Sequence, residues 1–140
     1  QVLASKVSES DPSAVSDVYW LYARAPRRHR YPAANDRSGK WLVFRKPEDI
    51  DDTWREVKRA VERGKLGATA KCSTRLGFRE PDFVICVYTY DWKDSDDVMR
   101  IREALRELGV EKPIPYKTDA DTIARRYASN GHKGLAKFYE

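Results

Sequence analysis

The chain has 140 residues, 41% hydrophobic and 35% charged, with a formal charge of +5. That suits one domain with its own core and excludes a disordered chain. No apolar run approaches the roughly 20 residues of a membrane helix. The basic balance, with a pI of about 9.2, favours anionic partners such as nucleic acid, nucleotides or phosphoproteins.

Residues 1–17 are polar and rich in Ser and Asp, and read as a flexible leader to a single domain over 18–140. They lack the apolar centre of a secretory signal. Opening on Gln1 rather than Met, the sequence is compatible with a piece of a longer polypeptide. Residues 18–24, aromatic-rich, predict a first strand. A loop over 25–39 follows, with Pro26 and Pro32 as breakers and Arg27, Arg28, His29, Arg30 and Arg37 against Asp36. Residues 40–44 predict a second strand, and the Ser38-Gly39 turn suggests a hairpin with the first.

Pro47, Glu48 and Asp49 supply helix-start chemistry. Ile50, Trp54, Val57 and Val61 then fall on one helical face, and Gly64 sits where a cap belongs. Trp54 is expected in the core. Residues 65–75 and 83–90 predict two central strands, and the short link with Gly77 and Pro81 predicts an antiparallel hairpin. Ser95 is the expected N-cap of a second helix carrying Val98, Ile101, Leu105 and Leu108, ended by Gly109. Residues 114–117 predict another strand. The tail is open to a short helix over 119–127, a turn at 129–131 and an edge strand over 135–139. Strand pairs between single helices predict an α+β fold, with an antiparallel or mixed sheet and both helices on one face.

Cys72 and Cys86 both fall in predicted strands. Buried thiols in a reducing, cytoplasmic setting are expected, with a disulfide open if the strands are neighbours. There is no CxxC spacing and only two histidines, so neither metal nor cofactor is expected.

The most informative feature is Lys71, set in a small, uncharged stretch of predicted strand within the run of residues 66–75. Lysine is rarely buried without a partner. Lys117 repeats the arrangement on another strand, just past apolar residues. Strand-borne cations in a basic chain point to a cleft for a phosphate or another compact anion. Lys71 reaching out from an edge strand, or pairing with Asp91 or Glu103, is the plainer reading.

Several ordered segments match a known family. They are Gly39-Lys40-Trp41, Gly64-Lys65-Leu66-Gly67 with Ala70-Lys71, Val84-Ile85-Cys86-Val87-Tyr88-Thr89, Asp96-Asp97-Val98, Leu105-Arg106-Glu107-Leu108-Gly109 and Pro115-Tyr116-Lys117-Thr118-Asp119. With residues 19–24, they resemble the basophilic-leukaemia-expressed (Bles-type) family. The resemblance implies a fold like that of the cap-binding translation initiation factors: a curved antiparallel sheet backed by helices. Microbial relatives are labelled phosphothreonine lyases, which implies elimination chemistry as an alternative. Fold alone assigns neither activity.

Cap recognition needs two aromatic faces, a carboxylate and phosphate-binding cations. Trp20, Trp41, Trp54 and Trp92 are present, but no Trp-Glu dipeptide, so the cap-binding pattern is not carried over. Looser binding of RNA or a nucleotide on a concave sheet face is the leading expectation. Lys71, Arg75, Lys117, Arg125 and Arg126 would supply charge, and Tyr88 or Trp92 stacking or hydroxyl contacts; Trp92 beside Asp91 and Asp94 could read a base. Elimination from a phosphorylated side chain would instead use Lys71 as base and His132 as acid. A protein-interaction module without catalysis is the third possibility.

Overall fold

A computed structural model describes residues 11–27, 29, 31–120 and 137–140. A short 3-10 turn, Pro12–Ala14, precedes strands β1 (Trp20–Arg24) and β2 (Gly39–Arg45), then helix α1 (Pro47–Glu62). Strands β3 (Thr69–Ser73) and β4 (Phe83–Thr89), helix α2 (Ser95–Glu107) and strands β5 (Pro115–Thr118) and β6 (Phe138–Tyr139) follow. Among the described residues, no helix is long and apolar enough to cross a membrane.

The helices form where the pattern predicts. α1 opens on Pro47 with Glu48 and Asp49 in its first turn, and buries Ile50, Trp54, Val57 and Val61. Gly64 then takes a φ of +74°, which a side chain would resist. In α2 the cap lies one residue before the expected Ser95. The Asp94 carboxylate accepts the Asp97 N–H at 3.2 Å, reaching the third helical residue as a cap should. The described part of the expected leader rests on α1: Ser13 N and Oγ both donate to Asp51, and Asp11 pairs with Arg55 at 2.9 Å.

The six strands run in the order β1-β3-β4-β2-β5-β6, all antiparallel. The β3–β4 hairpin is as expected. The β1–β2 hairpin is not formed: β1 pairs with β3 at one edge. The reason lies in β2, where Trp41, Leu42 and Val43 are all buried. Such a strand belongs in the centre of a sheet, and the long loop after β1 lets the chain cross to it.

Alternation divides the sheet into two faces. One carries Ala23, Ala70, Phe83, Ile85, Val87, Trp41, Val43 and Tyr116, and packs on both helices as the core. Trp41 is fully buried, donates its indole N–H to the Val98 carbonyl of α2 at 3.1 Å, and meets the Tyr116 ring edge-on at 5.2 Å. Tyr116 shares a 2.6 Å hydrogen bond with Thr89. Its hydroxyl crosses Gly39 so closely that a Cβ there would lie 2.3 Å away, so only glycine fits. Arg102 of α2 is also fully buried. Its guanidinium donates to the carbonyls of Glu140, Val110 and Lys112 at 2.7, 2.8 and 2.9 Å, tying the helix to the chain around β5 and β6.

The opposite face has no helix on it among the described residues, and the register arranges it in rows. The upper row reads Arg24, Thr69, Tyr88, Lys40, Lys117 from β1 to β5. The middle row reads Tyr22, Lys71, Cys86, Leu42, Pro115, Tyr139. The lower row is Trp20, Ser73, Val84, Phe44. Cys72 lies opposite Ile85 and Cys86 opposite Lys71, so the two thiols point to different faces. Both are buried and free, and no disulfide forms although their strands are neighbours. Burial pushes both thiols upward, Cys86 to about 11 with Lys71 and Lys40 pulling the other way.

Candidate functional site

The open face gathers cations around an aromatic ring. Lys71 on β3 places its ammonium 3.9 Å from the centre of the Trp20 ring and 5.9 Å from that of Tyr88. Lys40 on β2 approaches the same Tyr88 ring, also at 5.9 Å. Lys117 stands directly across from Lys40. Arg24 lies over Tyr22 at 5.5 Å. The three rows hold four cations and no carboxylate. The nearest acid is Asp119, just beyond β5, which pairs with Lys40 at 2.8 Å. Burial raises the Tyr88 phenol well above its ordinary value, so the ring enters as a neutral hydroxyl and a stacking surface.

Lys71, Lys117 and Tyr88 therefore share one face, but the other nominated residues do not join them. Arg75 lies past the end of β3, donates from Nε to the Ser13 carbonyl at 3.1 Å, and leans on Phe78 and Phe83 at 5.4 and 5.5 Å. Trp92 packs against the core on the helical side, with Lys137 over its ring at 3.7 Å. Both acids beside it already have partners. Asp91 is held by both arms of Arg37 at 2.8 and 2.6 Å, by Asn35, and by the Lys93 N–H at 2.8 Å. Those bonds, Arg37 foremost, hold its carboxyl far below the usual range. Asp94 caps α2 and accepts the Tyr90 hydroxyl, which raises that phenol to about 12. Lys71 contacts neither Asp91 nor Glu103, but the aromatic rings. Arg125, Arg126 and His132 lie outside the described residues, as does the expected tail helix beyond Ala120.

Sequence reasoning passed over Lys40, Trp20 and Tyr22. The signal for Lys40 was present: if Trp41 faces the core, alternation turns Lys40 and Leu42 the other way. Trp20 and Tyr22 needed the register, because only the β1–β3 pairing sets them beside Lys71.

Two recesses border the face. One, of about 110 Å³, lies between the 31–38 loop and Thr69, Tyr88 and Asp119. It has room for a few waters at roughly 30 Å³ each and is too small for a nucleotide. The other, of about 1010 Å³, opens at the lower end between Phe44, Lys46, Lys112, Pro115 and Tyr139.

The model of the family described as basophilic leukemia-expressed protein Bles03 matches residues 29–123. The chain belongs to this family. Its fold is shared with solved structures of the translation initiation factor eIF4E. Schistosome eIF4E complexed with m7GpppA and 4E-BP superposes with a TM-score of 0.69 at 16% identity, over 99% of this chain and 80% of that one. The m7GpppG complex of the schistosome protein gives 0.66, with the same identity and coverage. C. elegans eIF4E-3, with the 4E-binding protein Mextli and a cap analog, gives 0.51 at 22% identity, over 63% of this chain and 54% of that one. These likenesses fix a curved antiparallel sheet backed by helices, as the family resemblance implied.

Proposed function

We propose that this Bles03-family protein binds a phosphorylated ligand of the RNA or nucleotide class on the open face of its sheet. The observation that carries the reading is the placement of Lys40 and Lys71 on two sides of the Tyr88 ring, with Lys117 beside Lys40. Phosphate oxygens need cations whose geometry is set in advance, and strands set it better than loops. A base needs a ring face, and Tyr22, half exposed, offers one beside the lysine-flanked Trp20 and Tyr88. Structures with this fold are complexes with m7GpppA and m7GpppG, both phosphorylated nucleotides. Cap specificity is not part of the reading, because the Trp-Glu pattern is missing.

The test is binding of a 5′-phosphorylated oligouridylate at two ionic strengths. Log affinity should fall with log salt by about 0.7 for each phosphate neutralised on a single strand. Lys71→Ala with Lys40→Ala should weaken binding and flatten that slope. Salt-insensitive binding, or no binding, removes nucleic acid from the account.

Elimination from a phosphothreonine remains the rival for the same face. A phosphate ligand uses the ammonium of Lys71, the form an indole ring attracts; an eliminating base would need the amine. Mass spectrometry of a phosphothreonine peptide separates the two readings. Loss of phosphoric acid, abolished by Lys71→Ala, would establish the lyase.

A further inference from the structure

We infer that the ligand is a single-stranded nucleic acid several nucleotides long, laid across the whole open face, and not a mononucleotide. The inference rests on the reading above and concerns the length and strandedness of what binds. Its first ground is the spread of charge. Lys71 on β3 and Lys117 on β5 are three strand steps apart, about 14 Å at the backbone. At that separation the two ammoniums can serve successive phosphates of one strand.

The aromatic surfaces are spread in the same way. Tyr22 lies on β1 and Tyr139 on β6, five steps or about 24 Å across the sheet, with Tyr88 and Phe44 between them. Tyr22, Phe44 and Tyr139 are 52%, 46% and 68% exposed. Exposed rings set along one face can each take a base of a bound strand. Aromatic faces interleaved with strand-borne lysines match a chain of alternating bases and phosphates. A duplex hides its base faces in its own stack and would leave these rings without partners.

The large recess completes the track. Phe44 and Tyr139 stand on its wall, with Lys46 and Lys112 on its rim. Glu48, Asp49, Asp82 and Glu111 also line it, which disfavours a phosphate there. The recess therefore suits a base held by ring contacts, while the phosphates stay on the lysines of the upper and middle rows.

The experiment is fluorescence anisotropy with 5′-phosphorylated oligouridylates of two, four and eight nucleotides, with an eight-base-pair RNA duplex as competitor. Affinity should rise at least tenfold from the dinucleotide to the octanucleotide. Phe44→Ala with Tyr139→Ala should flatten the series, bringing the octanucleotide down to the dinucleotide's level. The duplex should compete at least tenfold more weakly than the single strand. Thermal melts check that this exposed pair has not unfolded the protein. If the dinucleotide binds and loses affinity on Lys71→Ala, yet length or the Phe44/Tyr139 pair makes no difference, the extended track is wrong and the phosphate site stands. If no oligonucleotide binds, or the lysine variants are silent, both fall.

Discussion

The two faces of this sheet are made from alternate residues of the same strands, yet they obey different rules. On the helical side the central large groups are enclosed. Trp41 has its hydrogen bond to Val98, and Arg102 has three carbonyls. On the open side Tyr22, Phe44 and Tyr139 lie in water beside lysines. Neighbours in sequence, Lys40 and Trp41, belong to the two regimes. One face holds the fold together, and the other, among the described residues, carries cations and exposed rings.

Substitutions should separate the faces. Trp41→Ala should destabilise most, by about 3–5 kcal/mol, because it opens a cavity in the core and loses the bond to the Val98 carbonyl; a denaturant titration measures it. Arg102→Ala should follow. It leaves the Val110 and Lys112 carbonyls short of a donor, while Glu140 keeps the Ile114 N–H, at about 1–3 kcal/mol, and should loosen β6, seen as faster amide exchange at Phe138 and Tyr139. On the open face, Lys71→Ala should shift stability by no more than about 1 kcal/mol, the scale of an exposed cation–π contact. The same variant should lower affinity for a phosphorylated ligand. A large loss of stability from Lys71→Ala would break the division between the faces.

The Arg37–Asp91 pair, a latch between the basic loop and the link from β4 to α2, gives a pH signature. Asp91 binds its proton more weakly when folded, chiefly through Arg37. The unfolded chain therefore binds more protons in acid, and the latch's contribution is present above the ordinary carboxylate value of 3.8 and lost as pH falls below it. Melting temperature followed from pH 5 to 2 should fall more steeply in the natural protein than in Asp91→Asn. The smallest effect expected is at Asp119. Replacing it with Asn releases Lys40 from its ion pair and should tighten anion binding a few-fold, read in the same anisotropy titration.

The elements were legible because both helices carry a clear apolar stripe and start chemistry. Ile50, Trp54, Val57 and Val61 could hardly face anything but a core. The sheet order was not legible, since local turn residues suggested a β1–β2 pairing while the enclosed centre of β2 demanded neighbours distant in sequence. The site followed the same division. Lys71, Lys117 and Tyr88 were visible as polar residues within strands. Arg75 is two residues past β3, where alternation no longer sets direction, and it turned to Ser13 and the Phe78 and Phe83 rings. Trp92 looked like a loop aromatic, but the loop folds onto the core. Trp20 entered the site only through cross-strand register, which no single segment encodes.

The most direct test is a nitrogen–proton NMR map of the protein titrated with a 5′-phosphorylated oligouridylate. The amides of Tyr22, Lys71, Tyr88, Lys40 and Lys117 should move together and saturate at one concentration. Shifts confined to α1 and α2, with the strand amides unmoved, would contradict binding on the open face.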